Sequence, residues 1–251
     1  MERGSRSPYP AAAPAWLVGE PPARVLDLAS GSGSFARMLT DAGHEVFGLD
    51  RDPARVAILT QRLGTRLHVA GRVEALPFLA CHFDVVTASQ TLHHFAPGLA
   101  LSEIARVLKP GGHLAVAYNT RDDTVPWVKR LIALLRQVDP TSVTGDYGVE
   151  AMDAVVESPY FGEVERQTFR NWVPISRAGL VSMVQRNPSV QQLEPEQRRQ
   201  LLDEVAGLYD TSARAPEPLL LPFRATCWRA VADHAQLSTL DEELDAMEIR
   251  L

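Results

Sequence analysis

Short apolar runs alternate with amphipathic stretches along the first half of the chain. Val25, Leu26 and Leu28 have the character of a buried parallel strand. Similar runs follow at Glu45–Asp50, Leu67–Ala70, Phe83–Ala88 and His113–Tyr118. Between them, apolar residues recur at helical spacing. Phe35, Met38 and Leu39 mark one helix, with Ser34 as its expected cap and Gly43 as its stop. Asp52 and Pro53 open a second, whose expected core residues are Val56, Ile58, Leu59 and Leu63. Leu99–Leu108 predicts a third, with Leu101, Ile104, Val107 and Leu108 inward, and Lys109-Pro-Gly-Gly112 forbids its continuation. Strands alternating with helices predict a parallel sheet covered on both faces.

The second half is less regular. Trp127–Leu135 is amphipathic, 139–160 predicts a loop and a weak helix, and Phe161–Phe169 alternates as a strand. Helices are expected over Ser176–Arg186 and Glu194–Leu208, a strand over Leu219–Val231 with Pro222 near its start, and an acidic amphipathic helix over 240–251. Residues 1–23 are rich in Pro, Ala and Gly, with a short helix expected around Ala11–Leu17.

Composition narrows the class. The 251 residues suit one α/β domain with an extra element, or at most two small domains. Hydrophobic residues make up 45% and charged residues 22%, as in a globular protein without a membrane span. A net charge of −6 argues against a nucleic-acid backbone as partner. Cys81 and Cys227 have no metal-ligand spacing, no metal site is expected, and a reducing cytoplasm is the simple inference. No signal peptide or run long enough to span a bilayer is present, so no membrane association is expected.

Candidate chemistry centres on Arg24-Val-Leu-Asp27-Leu-Ala29-Ser-Gly31-Ser-Gly33. The two glycines allow a tight turn and close approach to a ligand. Gly31, Gly33 and Ala36 satisfy the pattern G-x-G-x-x-[GA], and Asp50 follows where a ribose-binding acid belongs. Asp27 separates two kinds of ligand. A carboxylate below the loop repels a pyrophosphate and holds an ammonium group. The plain alternative is that Asp27 serves a turn and binds nothing.

This stretch resembles the first motif, V-L-D-L-G-x-G-T-G, of class I S-adenosylmethionine-dependent methyltransferases. Gly71-Arg72-Val73-Glu-Ala-Leu-Pro-Phe78 is similar to their G-D-A-E-x-L-P-F, and Glu103–Gly112 to their E-x-x-R-V-L-(K/R)-P-G-G. Ser89-Gln90-Thr-Leu-His93-His94-Phe95 occupies the loop after their fourth strand. Tyr118-Asn119-Thr-Arg121-Asp122-Asp123-Thr-Val-Pro-Trp127 resembles W-N-x-R-D-D-x-x-P-W of an actinobacterial-type subgroup, and Arg6–Pro10 resembles R-P-x-Y-P, where Tyr9 helps cover the pocket. The resemblance implies a Rossmann-like α/β fold: a seven-stranded, mainly parallel sheet with an antiparallel seventh strand and a mostly helical cap. It divides the chain into an N-terminal cover (1–23), a cofactor-binding core (24–123), a cap with strand six (124–215), and strand seven with a C-terminal helix (216–251), one domain overall.

By the same resemblance the cofactor is S-adenosylmethionine and the product S-adenosylhomocysteine. Asp27, Ala29 and Gly31 would hold its amino-acid end, with Gly33 passing close by. Asp50 would bind the ribose. Arg51, Arg72 and Val73 would line the adenine, and Ser89 and Gln90 the opposite wall. Ala29 replaces a usual glycine, and Arg72 a usual acid. His93, then His94, are the candidate bases for a hydroxyl acceptor. Tyr9, Tyr118, Asn119, Trp127 and Trp172 are the candidate acceptor contacts. Asp122 and Asp123 are expected in a solvated loop, and the Glu103–Gly112 motif is assigned no chemistry. The expected partner is a small-molecule acceptor, with the chain a monomer or homodimer. Three other readings stay open: a non-methylating reaction such as cyclisation on this fold, a non-catalytic binding protein, and a nicotinamide-dependent dehydrogenase, which Asp27 disfavours.

Overall fold

The computed structural model describes residues 9–139, 149–214, 218–235 and 237. The helix expected over 240–251, part of the 139–160 loop and most of the Arg6–Pro10 segment lie outside these residues. The described residues cluster into two compact units. One comprises the described residues within 1–119, 148–169 and 225–251, the other those within 120–147 and 170–224.

The first unit carries the expected alternation. In chain order it contains α1 (Ala12–Val18), β1 (Arg24–Leu28), α2 (Ser34–Asp41), β2 (Glu45–Asp50), α3 (Pro53–Leu63), β3 (His68–Ala70), β4 (Phe83–Ser89), a 3-10 turn at Leu92–His94, and α4 (Pro97–Val107). β5 (Leu108–Arg121) follows. α6 (Val149–Val156), which comes after α5 (Pro126–Val138) of the second unit, and the ends of β6 (Phe161–Ile175) and β7 (Leu219–Ala232) complete it. Among the described residues seven strands run in the order β3-β2-β1-β4-β5-β7-β6, with β1 to β5 parallel and β7 antiparallel. β1 is buried from Val25 to Leu28, as a strand covered on both faces must be. Val25, Val46, Val85, Ala115 and Cys227 pack one face against α1 and α2 through Leu17, Phe35 and Leu39.

Several expectations are corrected. Ser34 is the first residue of α2 rather than its cap. Gly33, at φ 74°, takes the cap position, and no side chain caps the helix. A Cβ on Gly33 would lie 2.2 Å from Leu59, so this glycine also lets α2 approach α3. On α3 only Leu59 is buried, and Ile58 is 54% exposed. The amphipathic stripe is narrow because α3 covers the sheet near its β3 edge. β5 begins at Leu108, before the glycine turn. Leu108 pairs with Phe83 and His113 with Val85, so Lys109–Gly112 forms an outward bulge within the strand. A Cβ on Gly112 would meet the Asp84 and Lys109 carbonyls at 2.9 Å, which no side chain tolerates. Asp84 fastens this corner by accepting from the Lys109 ammonium and the Arg24 amide, each at 2.7 Å. β6 runs on to Ile175, and the strand order places it at the sheet edge, where Pro174 removes no ladder bond from a central strand.

The second unit is built on α5 (Pro126–Val138), α7 (Arg177–Gln185), α8 (Pro188–Gln191) and α9 (Pro195–Ser212). Leu131, Leu135, Leu180, Val184, Leu201 and Val205 form its apolar core. The Ser176 and Asn187 side chains cap α7 and α8. Arg177 on α7 makes a two-pronged ion pair with Asp210 on α9. Asp122 is not solvated as expected. It is 3% exposed, accepts from the Thr124 amide and hydroxyl, and its own amide donates to the Pro222 carbonyl.

Candidate active site

The register of the parallel strands sets the site. Asp27 lies beside Gly48 on β2 and Thr87 on β4, near the carboxyl ends of all three strands. Ligands of open α/β sheets bind at such ends. Thr87 donates its hydroxyl proton to Asp27 Oδ1 at 2.8 Å. Asp27 is 1% exposed, and burial raises its pKa from 3.8 to about 6, opposed by hydrogen bonds from Thr87 and Ser30. Among the described residues, no cation is one of the groups acting on it. A buried carboxylate without a counter-charge is costly, and a cationic ligand relieves that cost.

Above Asp27 lies a cavity of about 130 Å³, lined by Tyr9, Asp27, Ala29, Ser89 and Gln90 among others. Ala29 at φ 50° and Gln90 at φ 59° are two of three non-glycine residues with positive φ among the described residues. Left-handed backbone at a non-glycine position costs roughly 1–2 kcal/mol, and such strain clusters at functional sites. Gly31 at φ 54° shares this conformation without the penalty. Asp50 ends β2 and is 3% exposed. Its two oxygens accept from the Gly31 amide at 3.1 Å and the Asp52 amide at 3.0 Å. Asp50 therefore holds the glycine loop against β2, and lone pairs remain on both oxygens for further donors.

Tyr9 is buried at 2% exposure beside this cavity, with its ring edge-on to Phe35. Its hydroxyl donates to the Ala117 carbonyl at 3.2 Å and lies 2.9 Å from Ser89 Oγ. Desolvation holds the phenol well above its ordinary range, so it stays neutral. Arg51 is exposed, and Arg72 is 79% exposed beside Glu74, whereas Val73 is buried. These three lie along the loops after β2 and β3 and do not line the cavity.

His93 and His94 sit on the 3-10 turn that follows Thr91, with their ring centres 3.8 Å apart. Tyr118 reaches this turn from β5. Its hydroxyl oxygen accepts the His93 amide at 3.2 Å and lies 2.9 Å from His93 Nδ1. Tyr118 is fully buried, so its hydroxyl is shielded from solvent. Burial and the neighbouring His94 lower the His93 pKa, which keeps its ring neutral at pH 7. Asn119 follows Tyr118 on β5, while Trp127 and Trp172 belong to the second unit, Trp172 at 46% exposure.

A second role emerges for the Glu103–Gly112 motif. Arg106 bonds both oxygens of Glu103 and donates to the Leu76 and Phe78 carbonyls at 3.1 and 2.9 Å. Glu103 also accepts the Leu76 amide at 2.7 Å. The pair thus clamps the Leu76-Pro77-Phe78 segment. Sequence reasoning missed Thr87 and Arg106 because their roles appear only once register and loop path are fixed.

Comparison with known proteins agrees with this geometry. Residues 26–116 match the methyltransferase domain family. An uncharacterised methyltransferase of Mycobacterium tuberculosis is 30% identical over 231 residues, 91% of each chain. A demethylmenaquinone methyltransferase of Beutenbergia cavernae is 41% identical over 112 residues, 44% of this chain and 45% of that one. Among solved structures, one from Anaeromyxobacter dehalogenans superposes with a TM-score of 0.62 at 21% identity, covering 90% of this chain and 96% of the other. The YcgJ protein of Bacillus subtilis gives 0.51 at 22%, covering 87% and 95%. With the sheet order, the aspartate beneath the glycine loop and a full-length relative in agreement, the chain belongs to the class I S-adenosylmethionine-dependent methyltransferases.

Proposed function

We propose that the protein methylates a hydroxyl of a small-molecule acceptor, using S-adenosylmethionine and releasing S-adenosylhomocysteine. The observation that carries the cofactor assignment is the Asp27 carboxylate, buried at the floor of the 130 Å³ cavity with no cation among the described groups that act on it. The ammonium of the cofactor's amino-acid end supplies the missing charge, and the backbone at Ala29 and Gly31 offers it polar groups. In this reading Asp50 accepts the ribose hydroxyls, Val73 packs beside the adenine with Arg51 and Arg72 at its rim, and Ser89 and Gln90 close the opposite wall. Gly33 supports the loop through its packing on Leu59.

When bound, S-adenosylmethionine supplies a methyl group on a positive sulfur: the acceptor oxygen forms the new bond to carbon, and the carbon–sulfur bond breaks with its electrons left on sulfur. The chain's task is to align the acceptor and exclude water. His93 takes the hydroxyl proton. The Tyr118 hydroxyl, 2.9 Å from Nδ1, fixes the orientation of the His93 ring. Tyr118 acts here as a positioning residue, and burial, with His94 at ring contact, keeps the His93 pKa low. Asn119 stands as a proposed acceptor contact within the first unit, and Tyr9 as part of the cavity wall. Among the described residues no helix is long and apolar enough to cross a membrane, and the reading places the protein in the cytoplasm acting on a dissolved acceptor.

The test is transfer of a labelled methyl group from S-adenosylmethionine to a panel of phenols, alcohols and amines. Labelled oxygen methyl ethers, formed at least tenfold more slowly by His93→Ala, are expected. Transfer to amines alone, or at full rate in that variant, refutes the oxygen acceptor and the base.

A further inference from the structure

A second cavity, of about 180 Å³, lies against the Leu92–His94 turn. Its floor is apolar and buried, formed by Leu92, Ala100 and Leu101. Ala151 and Ala154 of α6 form a wall. His93 and Glu150 are its titratable lining residues, and no lysine or arginine is among its described lining residues. Gln90 lines the first cavity and Leu92 the second, so only Thr91 separates them along the chain. Two residues of extended backbone span at most about 7 Å.

We propose that this second cavity binds the acceptor, and that its occupant is an uncharged six-membered ring bearing a hydroxyl group, with the ring on Leu92, Ala100 and Leu101 and the hydroxyl toward His93. Size, polarity and charge each support the choice. An aliphatic cavity of about 150 Å³ accepts benzene, so 180 Å³ holds one ring with a small substituent. Apolar walls with few convergent polar groups are the usual make-up of a small-molecule site. A carboxylate or phosphate finds no cation among the described lining residues and meets the Glu150 charge. The cavity is open to solvent, so the ring can be one end of a larger molecule. The inference rests on the reading of His93 as the base, and it places the atom to be deprotonated at that ring.

The test uses the full chain labelled with carbon-13 at alanine methyls, titrated with 4-ethylphenol and, separately, with 4-ethylbenzoate. The phenol is expected to shift the Ala100, Ala151 and Ala154 methyl signals to saturation, and the benzoate to bind at least tenfold more weakly. Ala154→Phe fills the cavity and is expected to weaken the phenol at least tenfold while heats of S-adenosylmethionine binding stay unchanged. If that variant does not fold, Ala151→Phe, at a half-buried position, gives the same readout. Absence of shifts, equal affinity for the benzoate, or unchanged phenol affinity in the filled variant overturns the proposal. So do shifts of these methyls with protein concentration alone, the mark of a second copy seated there. Saturable phenol binding without any cofactor binding would uphold the cavity and defeat the methyl-transfer reading, and the reverse result would do the opposite.

Discussion

Asp27→Asn removes one charge and keeps the side chain's size, so it isolates what the buried carboxylate does. Burial raises the Asp27 pKa from 3.8 to about 6. The folded state therefore holds this proton more tightly than the unfolded chain, and ionisation opposes folding. The cost is small below the unfolded pKa, grows as pH rises through the window from 3.8 to about 6, and is constant above it. Each decade of proton affinity is worth about 1.4 kcal/mol. The penalty is then under about 1 kcal/mol at pH 4, about 1–2 at pH 5 and about 3 at pH 7. In the ligand-free protein, Asp27→Asn should recover this difference, with the amide oxygen of the substituted side chain still accepting from Thr87. Urea denaturation of both proteins across that pH range measures it, and other titrating groups cancel in the comparison. Calorimetry on the same samples reads the other half. Wild-type affinity for S-adenosylmethionine should fall about tenfold per pH unit below pH 6, whereas the variant binds weakly with little pH dependence. A variant no more stable than wild type at pH 7, or one that keeps wild-type cofactor affinity, would refute the argument from the buried charge.

Further outcomes follow from other residues. Ala29→Gly relieves a left-handed alanine at φ 50° and should stabilise the protein by about 1 kcal/mol in urea melts. Arg106→Met leaves Glu103 and the Leu76 and Phe78 carbonyls without their donor, so a loss of about 2–3 kcal/mol is expected, with faster amide exchange at residues 72–78. Tyr118→Phe should redistribute the proton between the two His93 ring nitrogens, visible in nitrogen-15 spectra, and lower kcat about tenfold with cofactor affinity unchanged. An unaltered tautomer in that variant would remove Tyr118 from the positioning role.

Much of the first unit is legible in the sequence because its signals are local. The runs at Val25, Glu45 and Phe83 each form a parallel strand, since apolar residues that long without a polar face need cover on both sides. Asp52 and Pro53 open α3 as their chemistry requires, with Asp52 accepting the Ala54 amide at 2.9 Å. What the sequence hides depends on neighbours. Ile58 reads as core, yet its exposure is set by how far α3 reaches over the sheet. The Lys109–Gly112 turn is a bulge inside β5, because Phe83 already pairs with Leu108 before it. Asp122 reads as solvated, yet it is buried with its amide paired to Pro222, a partner 100 residues away along the chain. Within the candidate site, Asp27 stands out as a charge in an apolar run. Its partner Thr87 does not, because nothing in a single strand announces which residue the adjacent strand sets beside it. Ala29 departs from the glycine of the family motif, yet keeps a glycine-like φ because the turn around it dictates the backbone.

The most direct measurement is calorimetric titration of the purified full chain with S-adenosylmethionine and with S-adenosylhomocysteine at pH 7.5. The account predicts saturable binding of both in the micromolar range, roughly −8 kcal/mol, with both losing affinity when the solution is taken below pH 6, because each presents its ammonium to Asp27. A folded protein that binds neither would contradict the assignment of Asp27, Asp50 and the glycine loop as a cofactor site.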